Sequence, residues 1–153
     1  MTLEEHTNNL GKLIVNFHSL EFMLRNYLQK NSSKSIGTPY GVSFYTYPVD
    51  TELPENEITN YDSLGQLINK FNAIMRAKKQ EELDYSLVEI RDALAHGRIS
   101  AQNPETELQL IKFSKPINGK VKVVFNQFLT EEWFTFNRAR LYYSIELVCK
   151  HYQ

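Results

Sequence analysis

The first thirty residues carry a hydrophobic stripe with the period of an α-helix. Apolar side chains recur there every three or four positions, which predicts one long helix over residues 3–30. The residues of this stripe are Leu10, Leu13, Ile14, Phe17, Leu20, Leu24 and Leu28. Phe22 and Met23 lie beside the stripe and widen it, so we expect a second packing partner, either another helix of this chain or another subunit.

Three further helices are predicted from periodicity and capping signals. One covers residues 62–79, and another begins near Leu83 and stops at Gly97. Ser86 and Glu89 have the spacing of a capping box within that third helix, which Asp84 could also begin. The last helix follows Thr130, whose hydroxyl suits an N-cap.

Residues 108–126 differ in kind from the rest of the chain. β-branched and aromatic residues flank Asn118-Gly119, the dipeptide that suits a type I′ hairpin. Pro116 removes one ladder donor, so we expect its strand to lie at a sheet edge. With 153 residues, the size of one ordinary domain, the chain is predicted to be a single mainly α domain over 1–153. Its fold is expected to be a bundle of four or more helices with this hairpin inserted.

Composition excludes several classes of protein. Apolar residues make up 42% and charged residues 23% of the chain, with a net charge of −1, which indicates a globular protein. We found no apolar run near the roughly 18 residues of a membrane helix and no secretory signal at the start, so we expect a cytoplasmic protein with no membrane partner. Cys149 is the one cysteine, and no histidine pair shares metal-ligand spacing with it, so no metal site is expected.

The connection over residues 31–61 is long and has no clear periodicity. Connections of this length usually carry function or lie on the surface, and the sequence does not decide between the two. Its aromatic residues Phe44, Tyr45 and Tyr47 either stack on bases or anchor the connection to the bundle.

Residues 89–98, Glu-Ile-Arg-Asp-Ala-Leu-Ala-His-Gly-Arg, hold the best candidates for chemistry. Asp92 and His96 lie one helical turn apart and can pair. A carboxylate beside an imidazole fixes the orientation of the ring, which prepares it for acid–base chemistry. Arg91 is adjacent, and its side chain can reach the same patch. The alternative is that His96 only interacts with the last carbonyls of its helix.

The string RDALAHG resembles the signature of the HEPN superfamily, the higher eukaryotes and prokaryotes nucleotide-binding domains. That signature is an arginine followed by a polar residue, then a few residues and a histidine near the end of a bundle helix. Arg91, Asp92 and His96 match these three positions. The segment SLEFMLRNYL of the first helix resembles Abi-like bacterial members of the superfamily, whereas the minimal bundle lacks the hairpin.

The resemblance implies a metal-independent endoribonuclease that needs no cofactor and acts as a homodimer, in which the Arg-His motifs of two subunits meet in one cleft. Toxins of toxin–antitoxin pairs, abortive-infection proteins and other phage-defence effectors use this site. It implies RNA as substrate and an antitoxin protein as a partner. His96 is then the proton carrier, Arg91 the phosphate clamp and Asp92 the orienting group. The basic residues around the hairpin are expected to hold the RNA backbone or to be merely solvent-facing, and these are Arg98, Lys112, Lys120 and Lys122.

Two other hypotheses remain open on the sequence alone. The first is a non-catalytic module that uses the same bundle to bind RNA, a nucleotide or a partner protein, which the near-neutral charge favours. The second is a dimerising domain with a purely structural role. Among the other histidines, His18 is expected to be a partly buried structural ring, and His6 and His151 are expected to be mobile near the termini.

Overall fold

The computed structural model describes residues 1–32, 47–101 and 107–152. Its elements, in chain order, are α1 (Leu3–Asn31), α2 (Leu64–Ala77), α3 (Leu87–His96), β1 (Arg98–Ser100), β2 (Gln109–Phe113), β3 (Val123–Phe128) and α4 (Glu131–Tyr152). The protein is therefore mainly helical with a small antiparallel sheet, as the sequence predicts. No helix in this part of the chain is long and apolar enough to cross a membrane. Phe44 and Tyr45 lie outside the described residues.

The chain divides into two compact units. The first unit consists of Met1–His18 and Asp84–Ser144, and it holds α3 and the whole sheet. The second consists of Ser19–Leu83 and Ile145–Gln153, and it holds α2. Both α1 and α4 run through a unit boundary, so each long helix supplies residues to two sets of neighbours.

The hydrophobic stripe of α1 is buried, as the periodicity predicts. Leu13, Leu20 and Leu24 are completely buried, and Phe17 is 4% exposed. Ile14 is 45% exposed, so the stripe is narrower than the sequence indicates.

Side-chain hydrogen bonds cap the starts of α2 and α4, whereas the start of α3 differs from the prediction. Ser63 caps α2 with a complete capping box, and the Thr130 hydroxyl accepts a bond of 3.1 Å from the backbone N–H of Trp133 in α4. The capping box expected at Ser86 is wrong, because Ser86 has helical backbone angles and makes no side-chain cap. Its hydroxyl instead donates to the Asp84 carboxylate over 2.8 Å. Helix α3 therefore begins at Leu87.

The sheet has the strand order β1-β2-β3, with both pairs antiparallel. Asn118 and Gly119 have φ values of 51° and 73°, which confirms the predicted hairpin turn. The expectation that Pro116 marks an edge strand is wrong, because β2 is the central strand and ends at Phe113, before the proline. The sequence also gave no sign of β1, which supplies the third strand.

Gly97 permits the close contact between the end of α3 and β2. A Cβ atom at this position would lie 2.4 Å from the carbonyl oxygen of Ala93 and 2.7 Å from Cδ1 of Leu110. Those separations are shorter than van der Waals contact, so any larger residue at this position would displace the Ala93 carbonyl or Leu110. The chain therefore passes from α3 into β1 with the last turn of the helix lying directly on the central strand.

Candidate active site

Helix α3 carries the three residues of the predicted motif. Its apolar side anchors it in the first unit, since Leu87 and Ala93 are completely buried and Ile90 is 7% exposed. The other side faces outward, with the side chain of His96 65% exposed and that of Asp92 39% exposed. Both groups are thus held on a fixed helix yet remain accessible to a ligand.

Asp92 and His96 approach each other as the i, i+4 spacing predicts. Nε2 of His96 lies 3.6 Å from Oδ1 of Asp92. This separation is longer than an ordinary hydrogen bond. The contact is an ion pair only when the imidazole is protonated. The ring is therefore placed beside the carboxylate without being tied to it.

Lys112 is the residue that the structure adds to this pair. Its ammonium forms an ion pair with Oδ2 of Asp92, while Oδ1 faces His96. The lysine side chain is 22% exposed, and it reaches α3 from β2. We call Asp92, His96 and Lys112 the α3 cluster. From the sequence, Lys112 was predicted to contact RNA. Its pairing with Asp92 was not predicted, because the two residues are 20 positions apart in the chain.

Arg91 occupies a different side of the helix from His96. The two residues are five positions apart, which is roughly 140° around an α-helix. Arg91 is half-buried and adjoins Asp92 in the chain. Within one chain, the helical spacing therefore brings Asp92 close to His96 but places Arg91 on a different side of α3.

The remaining predicted RNA contacts do not belong to the α3 cluster. Arg98 pairs in register with Ile111, and its guanidinium lies 5.2 Å from the centre of the Phe113 ring. Because side chains alternate along a strand, Arg98 and Lys112 lie on opposite faces of the sheet. Lys120 and Lys122 are exposed near the hairpin turn and form no ion pair with any residue that the structure describes.

The other histidines differ from what their positions suggest. His6 is only 3% exposed, with Nε2 at 3.1 Å from Oε2 of Glu107 and its ring edge against Phe134, so the expectation of a mobile side chain is wrong. His151 is half-buried against Phe71, with ring centres 6.3 Å apart, and is likewise packed. His18 is exposed rather than partly buried. Of these rings, only His18 matches His96 in accessibility.

A metal site of this kind would need a group of three or more histidine, cysteine, aspartate or glutamate side chains. No such group occurs within residues 1–32, 47–101 and 107–152. The titratable groups of the α3 cluster are thus one carboxylate, one imidazole and one ammonium.

Comparison with known protein families, with characterised proteins and with solved structures found no match. The HEPN resemblance therefore depends on the motif in α3 and on the helical architecture of the chain.

Proposed function

We propose that this chain is a metal-independent endoribonuclease of HEPN type, with its site at the exposed side of α3. The observation that carries the proposal is that one carboxylate, Asp92, is shared between the accessible imidazole of His96 and the ammonium of Lys112. A proton carrier, an orienting group and a cation for phosphate thus occupy one patch. These are the groups that cleavage of RNA by its own 2′-hydroxyl requires.

The reaction is an in-line attack of the 2′-oxygen on the adjacent phosphorus. An imidazole accepts the 2′-hydroxyl proton, and a protonated imidazole gives a proton to the 5′-oxygen as its bond to phosphorus breaks. The products are a 2′,3′-cyclic phosphate and a free 5′-hydroxyl. His96 is the one histidine in the α3 motif, so the rings of two subunits would divide the base and acid roles in a homodimer.

Two cations are assigned to the phosphate in this proposal, Lys112 of the α3 cluster and Arg91, which lies on a different side of α3 from His96. The Lys112 ammonium stabilises the negative charge that develops on the non-bridging oxygens, and Arg91 clamps the phosphate through its planar guanidinium. Because Asp92 holds Lys112 before substrate arrives, the lysine is positioned at the rim of the site. A phosphate oxygen then competes with the carboxylate for that ammonium.

A nuclease of this kind has to be restrained by the cell that makes it. The proposal therefore includes a role as a growth-arresting effector in the cytoplasm, in a toxin–antitoxin pair or in abortive infection during phage defence. The restraining partner would be an antitoxin protein that covers the α3 cluster.

The test is cleavage of end-labelled RNA by the purified chain in excess EDTA. The wild-type chain is expected to cut and to leave 2′,3′-cyclic phosphate ends. His96→Ala is expected to lose at least about 100-fold in rate, the usual effect of removing a general acid–base group. His18→Ala is the matched control, because it removes an exposed histidine from α1 and should leave the rate unchanged. Equal cleavage by His96→Ala, or ends other than cyclic phosphate or its opened form, would refute the proposal.

A second candidate function is a non-catalytic module that binds RNA, a nucleotide or a partner protein. It is favoured by the net charge of −1 and by Lys112 being neutralised by Asp92. The same gel distinguishes the two functions. RNA that stays intact in every reaction, with or without a shift in mobility, supports the module and contradicts the nuclease.

A further inference from the structure

β3 is an edge strand of the sheet, and its composition is unusual for one. β3 is the last strand of the order β1-β2-β3, and no described strand lies on its other side. Val123 is 55%, Val124 52% and Phe128 50% exposed. Edge strands usually carry lysine or proline to prevent pairing, but β3 has neither a charged residue nor a proline.

The backbone groups that point away from β2 can be identified from the register. The N–H of Leu129 donates to the carbonyl of Leu108 over 2.7 Å, so these two residues form a hydrogen-bonded pair. Along an antiparallel ladder, hydrogen-bonded pairs alternate with pairs whose N–H and C=O groups point away from each other. Gln127 and Phe125 therefore bond to β2, whereas the N–H and C=O groups of Asn126 and Phe128 point to the free edge.

This free edge is regular over the length needed for pairing. Residues 125–128 pair one to one with residues 109–112 of β2. The irregularity of the ladder, where the register shifts at Lys112/Phe113, lies beyond them towards the hairpin turn. A four-residue stretch with outward-pointing donors and acceptors is thus available to another strand.

Charges flank β3 with opposite signs at its two ends. Lys120 and Lys122 precede the strand, and Glu131 and Glu132 follow it in the first turn of α4. If a second copy of β3 pairs antiparallel to the first, the basic end of each strand meets the acidic end of the other. With Asn126 opposite Phe128 of the second copy, the outward-pointing N–H and C=O groups of the two strands meet and Gln127 faces Gln127 at the two-fold axis. Lys122 of each copy then lies at the same end as Glu131 and Glu132 of the other. A parallel arrangement would instead place like charges together.

We propose that β3 pairs antiparallel with β3 of a second copy of this chain, which joins the two sheets through their free edges. The pairing is isologous, so it closes as a dimer and does not extend into a fibre. Backbone hydrogen bonds supply the affinity, and the charges at the strand ends set the direction. Contact along a single strand buries little surface, so the dimer is of the weak class that dissociates on dilution.

This pairing also has a consequence for the position of α3. The two-fold axis of an antiparallel pair is perpendicular to the sheet, so both copies of α3 lie on the same face of the joined sheet. The two β2 strands are then separated by three strand spacings, about 14 Å. The pairing itself depends on β3 and its flanking charges and is independent of the nuclease proposal.

Sedimentation velocity of the full chain over a range of concentrations tests the pairing. The wild-type chain is expected to show a monomer–dimer equilibrium. Asn126→Pro removes an outward N–H and the side-chain bond from Gln109 but no backbone bond to β2, and it should leave the chain monomeric. Lys122→Glu and Glu131→Lys should each weaken the dimer about tenfold, and the double variant should restore it. Lys115→Glu, a reversal in the same hairpin but away from β3, should change nothing.

Three results would overturn the proposal. The first is a wild-type chain that is monomeric at every concentration. The second is an Asn126→Pro chain that dimerises as strongly as the wild-type chain. The third is a double variant that does not recover the dimer affinity lost in the single variants. If Asn126→Pro does not fold by circular dichroism, the two single reversals and their double variant decide alone. The nuclease proposal needs a homodimer but not this interface, so a dimeric Asn126→Pro chain that cleaves RNA would overturn the β3 pairing alone. A wild-type chain that pairs through β3 but leaves RNA intact would overturn the nuclease alone.

Discussion

The two units each contain a cluster of polar side chains, and the clusters are built differently. In the second unit, the guanidinium of Arg25 donates to the carbonyl oxygens of Glu57, Asn60 and Asp62 and to Oδ1 of Asn60, over 2.7–3.2 Å. In the first unit, Asp92 meets His96 at 3.6 Å and Lys112 through a half-buried ion pair. The Arg25 cluster satisfies backbone groups, whereas the α3 cluster consists of side chains alone.

This difference separates a structural role from a chemical one. Half-buried carbonyl groups that lose their donor keep part of their desolvation cost, so the Arg25 cluster holds residues 57–62 in place. Groups that pair at the surface gain little from one another, and a ligand can replace them at little cost. We therefore expect changes at Arg25 to affect stability, and changes in the α3 cluster to affect function.

The largest loss of stability is expected from Arg25→Met. This variant keeps the apolar stem but removes the donors to three carbonyl groups, which should lower the free energy of unfolding by about 3 kcal/mol. Urea unfolding followed by circular dichroism measures the loss. Arg76→Met is the control, since Arg76 is exposed and, among residues 1–32, 47–101 and 107–152, pairs only with Glu82. A loss of less than about 1 kcal/mol at Arg25 would show that its hydrogen bonds are not structural.

A smaller loss is expected where α3 lies on β2. Gly97→Ala forces a methyl group against the Ala93 carbonyl and Leu110, which should cost about 2 kcal/mol and displace Lys112 from Asp92. Thermal unfolding and the cleavage rate should both decrease. Gly11→Ala is the matched control, because a Cβ there meets nothing within 4 Å and alanine favours a helix. If Gly97→Ala is as stable and active as the wild-type chain, the close contact does not position the cluster.

The smallest effect concerns the start of α3 and depends on pH. Burial alone would raise the pKa of Asp84, but hydrogen bonds from Ser86 and Arg140 outweigh it and lower the pKa below 3.8. A lowered folded-state pKa contributes stability that is present above the unfolded pKa and lost as the pH falls through the folded value. Asp84→Asn should therefore cost less than about 1 kcal/mol at pH 7, because the side chain is 54% exposed.

The cost of Asp84→Asn should shrink below about pH 4. Unfolding curves of both chains at several pH values measure this change. Glu52→Gln, at an exposed position, is the control. A cost that does not vary with pH would mean that the ionised carboxylate has no part in holding the start of α3.

The sequence predicts the elements whose signal is local. The stripe of α1, the Asn118-Gly119 turn and the Thr130 cap all depend on residues within one or two turns of each other, and the structure confirms them. The three-residue strand β1 was missed, because so short a segment is a strand only through its pairing with β2.

The candidate site was predictable only in part, for the same reason. The Asp92–His96 pair follows from helical spacing within α3. The Lys112 contact, the close approach at Gly97 and the burial of His6 against Glu107 join residues that are far apart in the chain. No pattern in the sequence specifies such long-range contacts, whereas the structure gives them directly.

The contrast between the two clusters is tested most directly by removing the whole α3 cluster at once. The measurement is the free energy of unfolding in urea of the chain with Asp92→Asn, His96→Ala and Lys112→Met together. We predict a value within about 1 kcal/mol of the wild-type chain, because the three side chains pair with one another in a partly exposed cluster. A loss as large as that expected for Arg25→Met would contradict the account and make the α3 cluster a structural one.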